Sequence, residues 1–294
     1  MGDWLCVGVN SDADILKTKG PSIMDDRERC EIVSHCKFID DVLAKAPYTP
    51  DFEILKSVDC GFYAHGDDPC IDSEGVDVTA KFREKNMYKE FARTPGVSTT
   101  DVTAKLLKVA ELSLKAQETG VEVEVAKDAA PPKQNFLATS RRIINFANTN
   151  VPKANDTIVY IQGSWDLLHH GHLKRLEAAK KLGDFLYVGI WDDEMTRYYK
   201  GQQYPIVSLQ ERVLMCLACK HVDDVVIGAP YILTEDLIKS LNIKKVVSIK
   251  NHKEDACLKR HQDIDQLKVA RDQGILEEVE IEDEFYNITT EEIA

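Results

Sequence analysis

The chain has 294 residues, 44% of them hydrophobic and 30% charged, with a formal net charge of -13. That length accommodates two ordinary domains or one large one. The acidity argues against nucleic acid as a partner and against adhesion to anionic membranes, since both need basic surface. No apolar run approaches the length of a bilayer span, so no integral membrane segment is expected.

The first strand expected is WLCVGVN (4–10), followed by Lys19-Gly20, Glu28-Arg29 and CKFIDDV (36–42). AHGDD (64–68) closes another strand, and RTPGVSTTD (93–101) precedes a helix. Residues 117–134 are charged, carry Pro131-Pro132 and read as a linker; 135–148 has the pattern of an amphipathic helix. Strands follow at 157–163, 185–191, 224–228, 244–249 and near 275–281. Between them the pattern places helices at 171–182, 208–220, 234–241 and near 262–273. Eight cysteines are scattered, mostly in apolar segments, which suits reduced thiols in a cytoplasmic protein. Cys216-x-x-Cys219 has no second pair nearby and reads as helix interior rather than a zinc or redox motif.

Two stretches of this order are the same stretch twice. MGDWLCVGVNSD (1–12) set on LGDFLYVGIWDD (182–193) is identical at six of twelve positions, and the same offset puts Lys19-Gly20 on Lys200-Gly201. Two residues further along the offset, Glu28-Arg29 falls on Glu211-Arg212 and Ala46-Pro47-Tyr48 on Ala229-Pro230-Tyr231. The expectation is therefore an α/β chain of two tandem Rossmann-like modules, 1–116 and 135–294, each a doubly wound parallel sheet. Residues 158–181 have no counterpart before Met1, so the first module lacks the opening strand and helix. Both ends of the chain read as clipped, with a start expected upstream of Met1 and a last helix begun at Thr289.

The segment without a counterpart carries the chemistry. DLLHHGH (166–172) places His169-x-Gly171-His172 where a strand becomes a helix. Unpaired N–H groups and the dipole at a helix N-terminus favour phosphate, Gly171 allows close approach, and two imidazoles one turn apart can donate to the same phosphoryl group. On the motif itself, two surface histidines capping a helix remain an equal reading; the strand before, the helix after and Lys200 in the next crossover favour phosphate. His170, between the two, reads as a bystander. Lys200 and Lys19 would place an ammonium on a triphosphate or an anionic substrate. His65, Gly66 and Asp67 would read the polar edge of a base or a ribose. Arg93, Thr94, Gly96, Ser98 and Thr99 form either a second phosphate-binding helix end or an ordinary N-capped helix.

These motifs resemble the HxGH nucleotidyltransferase superfamily, and within it the cytidylyltransferases of phospholipid synthesis; the duplicated register resembles the ethanolamine-phosphate branch. The resemblance implies transfer of CMP from CTP to phosphoethanolamine, giving CDP-ethanolamine and pyrophosphate, with Mg2+ accompanying CTP and a homodimer as one assembly. It implies that His169 and His172 stabilise the transition state, that Lys200 holds phosphates, and that Gly163 and Ser164 offer backbone to the nucleotide. Asn287, Ile288, Thr289 and Thr290 would supply a helix terminus beneath the phosphate. The second module departs from the pattern, with SIKNHKED (248–255) in place of HGDD and DEFYNITT (283–290) in place of RTPGVSTT. The readings left open are a nucleotide-binding pseudoenzyme and a transferase for another acceptor such as phosphocholine.

Overall fold

The computed structural model describes residues 2–71, 75–92, 103–107, 111, 151–201, 203–250 and 265–282. The chain forms two compact units, Met1–Ser98 and Thr99–Ala294.

Unit 2 is one five-stranded parallel sheet built from β5 (Ile158–Gly163), β6 (Phe185–Ile190), β7 (Asp224–Ile227), β8 (Lys245–Ile249) and β9 (Leu276–Val279). The order across it is β7-β6-β5-β8-β9. Three strands run outward on one side and two on the other, so the order reverses between β5 and β8, where open α/β sheets bind ligands. The helices between them are α5 (His170–Lys180), α6 (Asp193–Lys200), α7 (Leu209–Ala218), α8 (Glu235–Ser240) and α9 (Lys268–Asp272). β5 is a near-continuous apolar run because both faces are covered. Ile158 and Tyr160 point into a cluster with Phe185, Ile238, Val246 and Ala270. Val159 and Ile161, on the opposite face by strand alternation, are buried as well.

Unit 1 contains β1 (Cys6–Asn10), α1 (Asp12–Thr18), α2 (Asp26–Ser34), β2 (Asp41–Ala46), α3 (Phe52–Ser57), β3 (Tyr63–Gly66), α4 (Ala80–Glu84) and β4 (Tyr88–Phe91). Its strands form two parallel pairs, β1-β2 and β3-β4. In the repeat register these match β6-β7 and β8-β9, the pairs that β5 joins in unit 2. Among the described residues of unit 1 no strand matches β5, and the strands make two sheets where unit 2 has one.

Local chemistry repeats with the register. Asp25 and Glu28 make a capping box on α2, and Ser208 and Glu211 make the same box on α7. Ser11 caps α1 where Asp192 caps α6, and Asp51 caps α3 where Thr234 caps α8. The helix α6 itself lies in a stretch read from sequence only as a crossover.

Candidate active site: the histidine turn

The turn starts where β5 ends. A Cβ on Gly163 would lie 3.3 Å from the indole of Trp165, so glycine here lets the ring fold back over the strand end. The indole Nε1 donates to the Gly189 carbonyl of β6 at 2.9 Å. Trp165 and Leu167 both have positive φ, 53° and 47°, a conformation side chains adopt only when surrounding contacts hold it. One such contact is Asp166, fully buried, whose carboxylate accepts the Ile206 N–H at 2.7 Å and the Val207 N–H at 3.0 Å. Burial pushes the Asp166 carboxyl up, against the opposing pull of those two N–H groups and of the Lys200 and Arg212 charges.

His169 is the N-cap of α5, with extended backbone and an imidazole that makes no capping hydrogen bond. His170, Gly171 and His172 are the first three helical residues. The rings of His169 and His172 lie 3.9 Å apart between centroids, tilted by 34°, and Trp165 lies 5.3 Å from His172. His169 and His172 are only 2% and 5% exposed, so they are not surface caps. His170 is also buried.

Lys200 closes α6 and is buried, close enough for its charge to act on Asp166. Gly201 follows with φ 114°, and its N–H returns to the Arg197 carbonyl at 3.0 Å, a helix stop that glycine makes without strain. Gly20 repeats the positive φ at 95°, but Lys19 before it is exposed. Ser164 is buried and its carbonyl accepts from Arg212 Nη1. The structure thus brings Gly163, Ser164, His169, Gly171, His172 and Lys200 into one unit. In unit 1, His65 is half-buried on β3 with Nδ1 3.0 Å from the Gly66 carbonyl, and Asp67 is exposed. Arg93, Thr94, Gly96, Ser98, Thr99, Asn287, Ile288, Thr289 and Thr290 lie outside the described residues.

Asp166, Trp165 and Arg212 were not singled out from sequence as parts of the site. The first two stood inside or beside the motif, and Arg212 had been matched to Arg29 by the repeat.

An anion entering here meets a helix N-terminus, two adjacent imidazoles and a buried lysine, at the reversal point of a parallel sheet. These groups suit a phosphoryl group attacked by another substrate. That combination defines a nucleotidyltransferase-type α/β module. The family model described as "Cytidylyltransferase-like" matches residues 1–105 and 160–285. The ethanolamine-phosphate cytidylyltransferase of Dictyostelium discoideum is 39% identical over 289 residues, covering 95% of this chain and 79% of that protein. The ethanolamine-phosphate cytidylyltransferase of Arabidopsis thaliana is 38% identical, over 84% of this chain and 63% of that one. The choline-phosphate cytidylyltransferase of Saccharomyces cerevisiae is 35% identical over a shorter 68% of this chain and 46% of its own. The chain belongs to the cytidylyltransferase-like family. No helix among the described residues is long and apolar enough to cross a membrane.

Proposed function

We propose that the chain transfers CMP from CTP to phosphoethanolamine at the histidine turn, releasing pyrophosphate and CDP-ethanolamine. The observation that carries the reaction class is the buried pair His169 and His172, 3.9 Å apart at the start of α5. The acceptor rests on the relatives, because those matched over 95% and 84% of this chain are named for ethanolamine phosphate and a choline-phosphate enzyme is matched over 68% of it.

In this reading an oxygen of the phosphomonoester attacks the α-phosphorus of CTP, and the bond to pyrophosphate breaks. Negative charge grows on the bridging oxygen and on the pyrophosphate. His169 and His172 donate hydrogen bonds there, and the first turn of α5 adds its dipole. Lys200 neutralises the outer phosphates, and the Gly163-Ser164 backbone holds the nucleotide. Asn287, Ile288, Thr289 and Thr290 are proposed to contact phosphate.

Magnesium would supply charge neutralisation on the triphosphate. Among the described residues, the carboxylates beside the turn do not fit a protein-held ion: Asp166 is engaged by two backbone N–H groups, Asp192 caps α6 and Asp193 pairs with Arg212. The cation is therefore proposed to arrive on CTP with its waters, as Mg2+ commonly does. The described cysteines are free thiols, which supports action in the cytoplasm.

The test is turnover of labelled CTP against phosphoethanolamine, phosphocholine and glycerol 3-phosphate. Preference for phosphoethanolamine is expected. Preference for either alternative overturns the acceptor, and CTP binding without turnover of any of them overturns the activity in favour of a nucleotide-binding pseudoenzyme.

A further inference from the structure

The strongest unassigned feature is a buried arginine on α7. Arg212 is fully buried, and its guanidinium donates to three acceptors. Nη1 reaches the Ser164 carbonyl at 2.5 Å and the Trp191 carbonyl at 2.8 Å, and Nη2 reaches Asp193 Oδ1 at 2.6 Å. Ser164 opens the histidine turn after β5, Trp191 follows β6, and Asp193 begins α6. One rigid fork of donors therefore ties together the ends of two adjacent strands and the helix that ends in Lys200.

The duplicated module shows which of these bonds is general and which is particular to the turn. Arg29 occupies the matching place in unit 1. It donates to the Asn10 carbonyl at 2.8 Å and to Asp12 Oδ1 at 2.8 Å, the counterparts of Trp191 and Asp193. Its third acceptor is the carbonyl of Met24, in the loop before α2. The strand-to-helix clamp is thus common to both units, and the contact with Ser164 belongs to the unit that carries the histidines.

We infer that Arg212 is a positioning residue for the histidine turn: it fixes the point at which the turn leaves β5, and so the aim of His169 and His172. Through Asp193 it also sets the helix that delivers Lys200. The Ser164 carbonyl is anchored immediately before two positive-φ residues, where the backbone depends on outside contacts. Lysine in this position keeps the charge but loses the planar fork, so it cannot hold three acceptors in fixed directions.

The inference rests on nucleotidyl transfer at this turn, and the experiment separates the two. Arg212→Lys and Arg29→Lys are compared in the full chain at a temperature where circular dichroism shows both folded. Arg212→Lys is expected to lower kcat at least about tenfold while KM for CTP changes less than about threefold, the pattern of misaimed rather than missing groups. Arg29→Lys is expected to leave kcat within about twofold. Independently of turnover, the imidazole proton–carbon NMR signals of His169 and His172 should move in Arg212→Lys and stay in place in Arg29→Lys. If the parent chain transfers no nucleotide, the proposed function fails and the NMR comparison still decides the positioning role. Unmoved histidine signals in Arg212→Lys, or equal kcat losses in the two variants, overturn it. If Arg212→Lys does not fold, Asp193→Asn weakens the same clamp and is read by the same signals.

Discussion

Gly189→Ala is the sharpest test of how the sheet beneath the site is packed. Gly189 lies on β6, opposite Gln162 of β5. A Cβ there would stand 2.1 Å from the hydroxyl oxygen of Tyr160, 2.7 Å from its Cζ and 3.0 Å from Gln162 Cβ. Tyr160 is fully buried and its hydroxyl donates to Gln162 Oε1 at 3.1 Å. Gln162 in turn donates to the Tyr231 carbonyl at 2.7 Å, which holds it beside the Tyr160 hydroxyl. Overpacking of this kind costs about 1–3 kcal/mol, and loss of the Tyr160–Gln162 bond about 1 kcal/mol more. Replacing glycine returns about 0.5–1 kcal/mol by restricting the unfolded chain. The net loss is about 2 kcal/mol, a fall in Tm of roughly 4–8 °C for a unit of this size. Urea unfolding followed by tryptophan fluorescence reads it, because Trp165 and Trp191 are buried in unit 2 whereas Trp4 is already 48% exposed. The decisive measurement is the cycle with Tyr160→Phe. That change alone should destabilise, since it strands Gln162 Oε1, yet in the Gly189→Ala background it should stabilise by removing the oxygen at 2.1 Å. Additive effects of the two substitutions would refute the clash.

His169→Asn and His172→Asn should each lower kcat by about 10²–10³ while the calorimetric Kd for CTP changes little; equal losses in both quantities would place the histidines in ground-state binding instead. Lys200→Gln should lower turnover and stability together, because it removes a buried cation whose charge acts on Asp166; exposed Lys19→Gln should shift stability by less than about 0.5 kcal/mol, checked by the same urea titration. The Lys181 ammonium, 2.8 Å from Glu177, holds that carboxyl down to about 2 from 4.5, with Lys174 and His221 adding to the pull. A lowered carboxylate pKa stabilises above the unfolded value and loses that contribution as the pH falls through the folded one. Glu177→Gln should therefore cost about 1 kcal/mol at neutral pH, allowing for solvent screening, and the difference from the parent should shrink between pH 4.5 and about 2.

The alternation of strands and helices in unit 2 was legible because buried parallel strands are short apolar runs and the helices between them carry caps. The histidine pair was legible because its spacing places both rings on one turn of α5. α6 was missed because DEMTRYYK is mostly polar, although Asp192 caps its start and Asp193 and Glu194 fill its first turn. Asp166 left no pattern to read: its partners, the Ile206 and Val207 N–H groups, lie 40 and 41 residues along the chain. The first strand was expected from Trp4 but starts at Cys6, since Leu5 N–H is taken by the Asp40 side chain and its carbonyl by Asp40 and Asp41. Arg212 could have been found by asking why both copies keep an arginine at the same place. Its acceptors, two of them main-chain carbonyls, are invisible without the fold.

The two strand pairs of unit 1 bear on how that unit opens. In unit 2 a single ladder joins all five strands through β5, so an amide in β9 is protected by the same structure as one in β7. In unit 1 the ladders of β1-β2 and β3-β4 are separate. α2 packs on the first pair, and Phe82 packs against Tyr63 of the second at 5.0 Å. Two-stranded ladders are marginal by themselves and lean on such local cover. Hydrogen exchange should divide accordingly: amides of 6–46 and of 63–91 exchange with two distinct opening free energies, and those of the unit 2 sheet with one larger value. Nucleotide bound at the turn would then slow exchange throughout the unit 2 sheet as a single cooperative block.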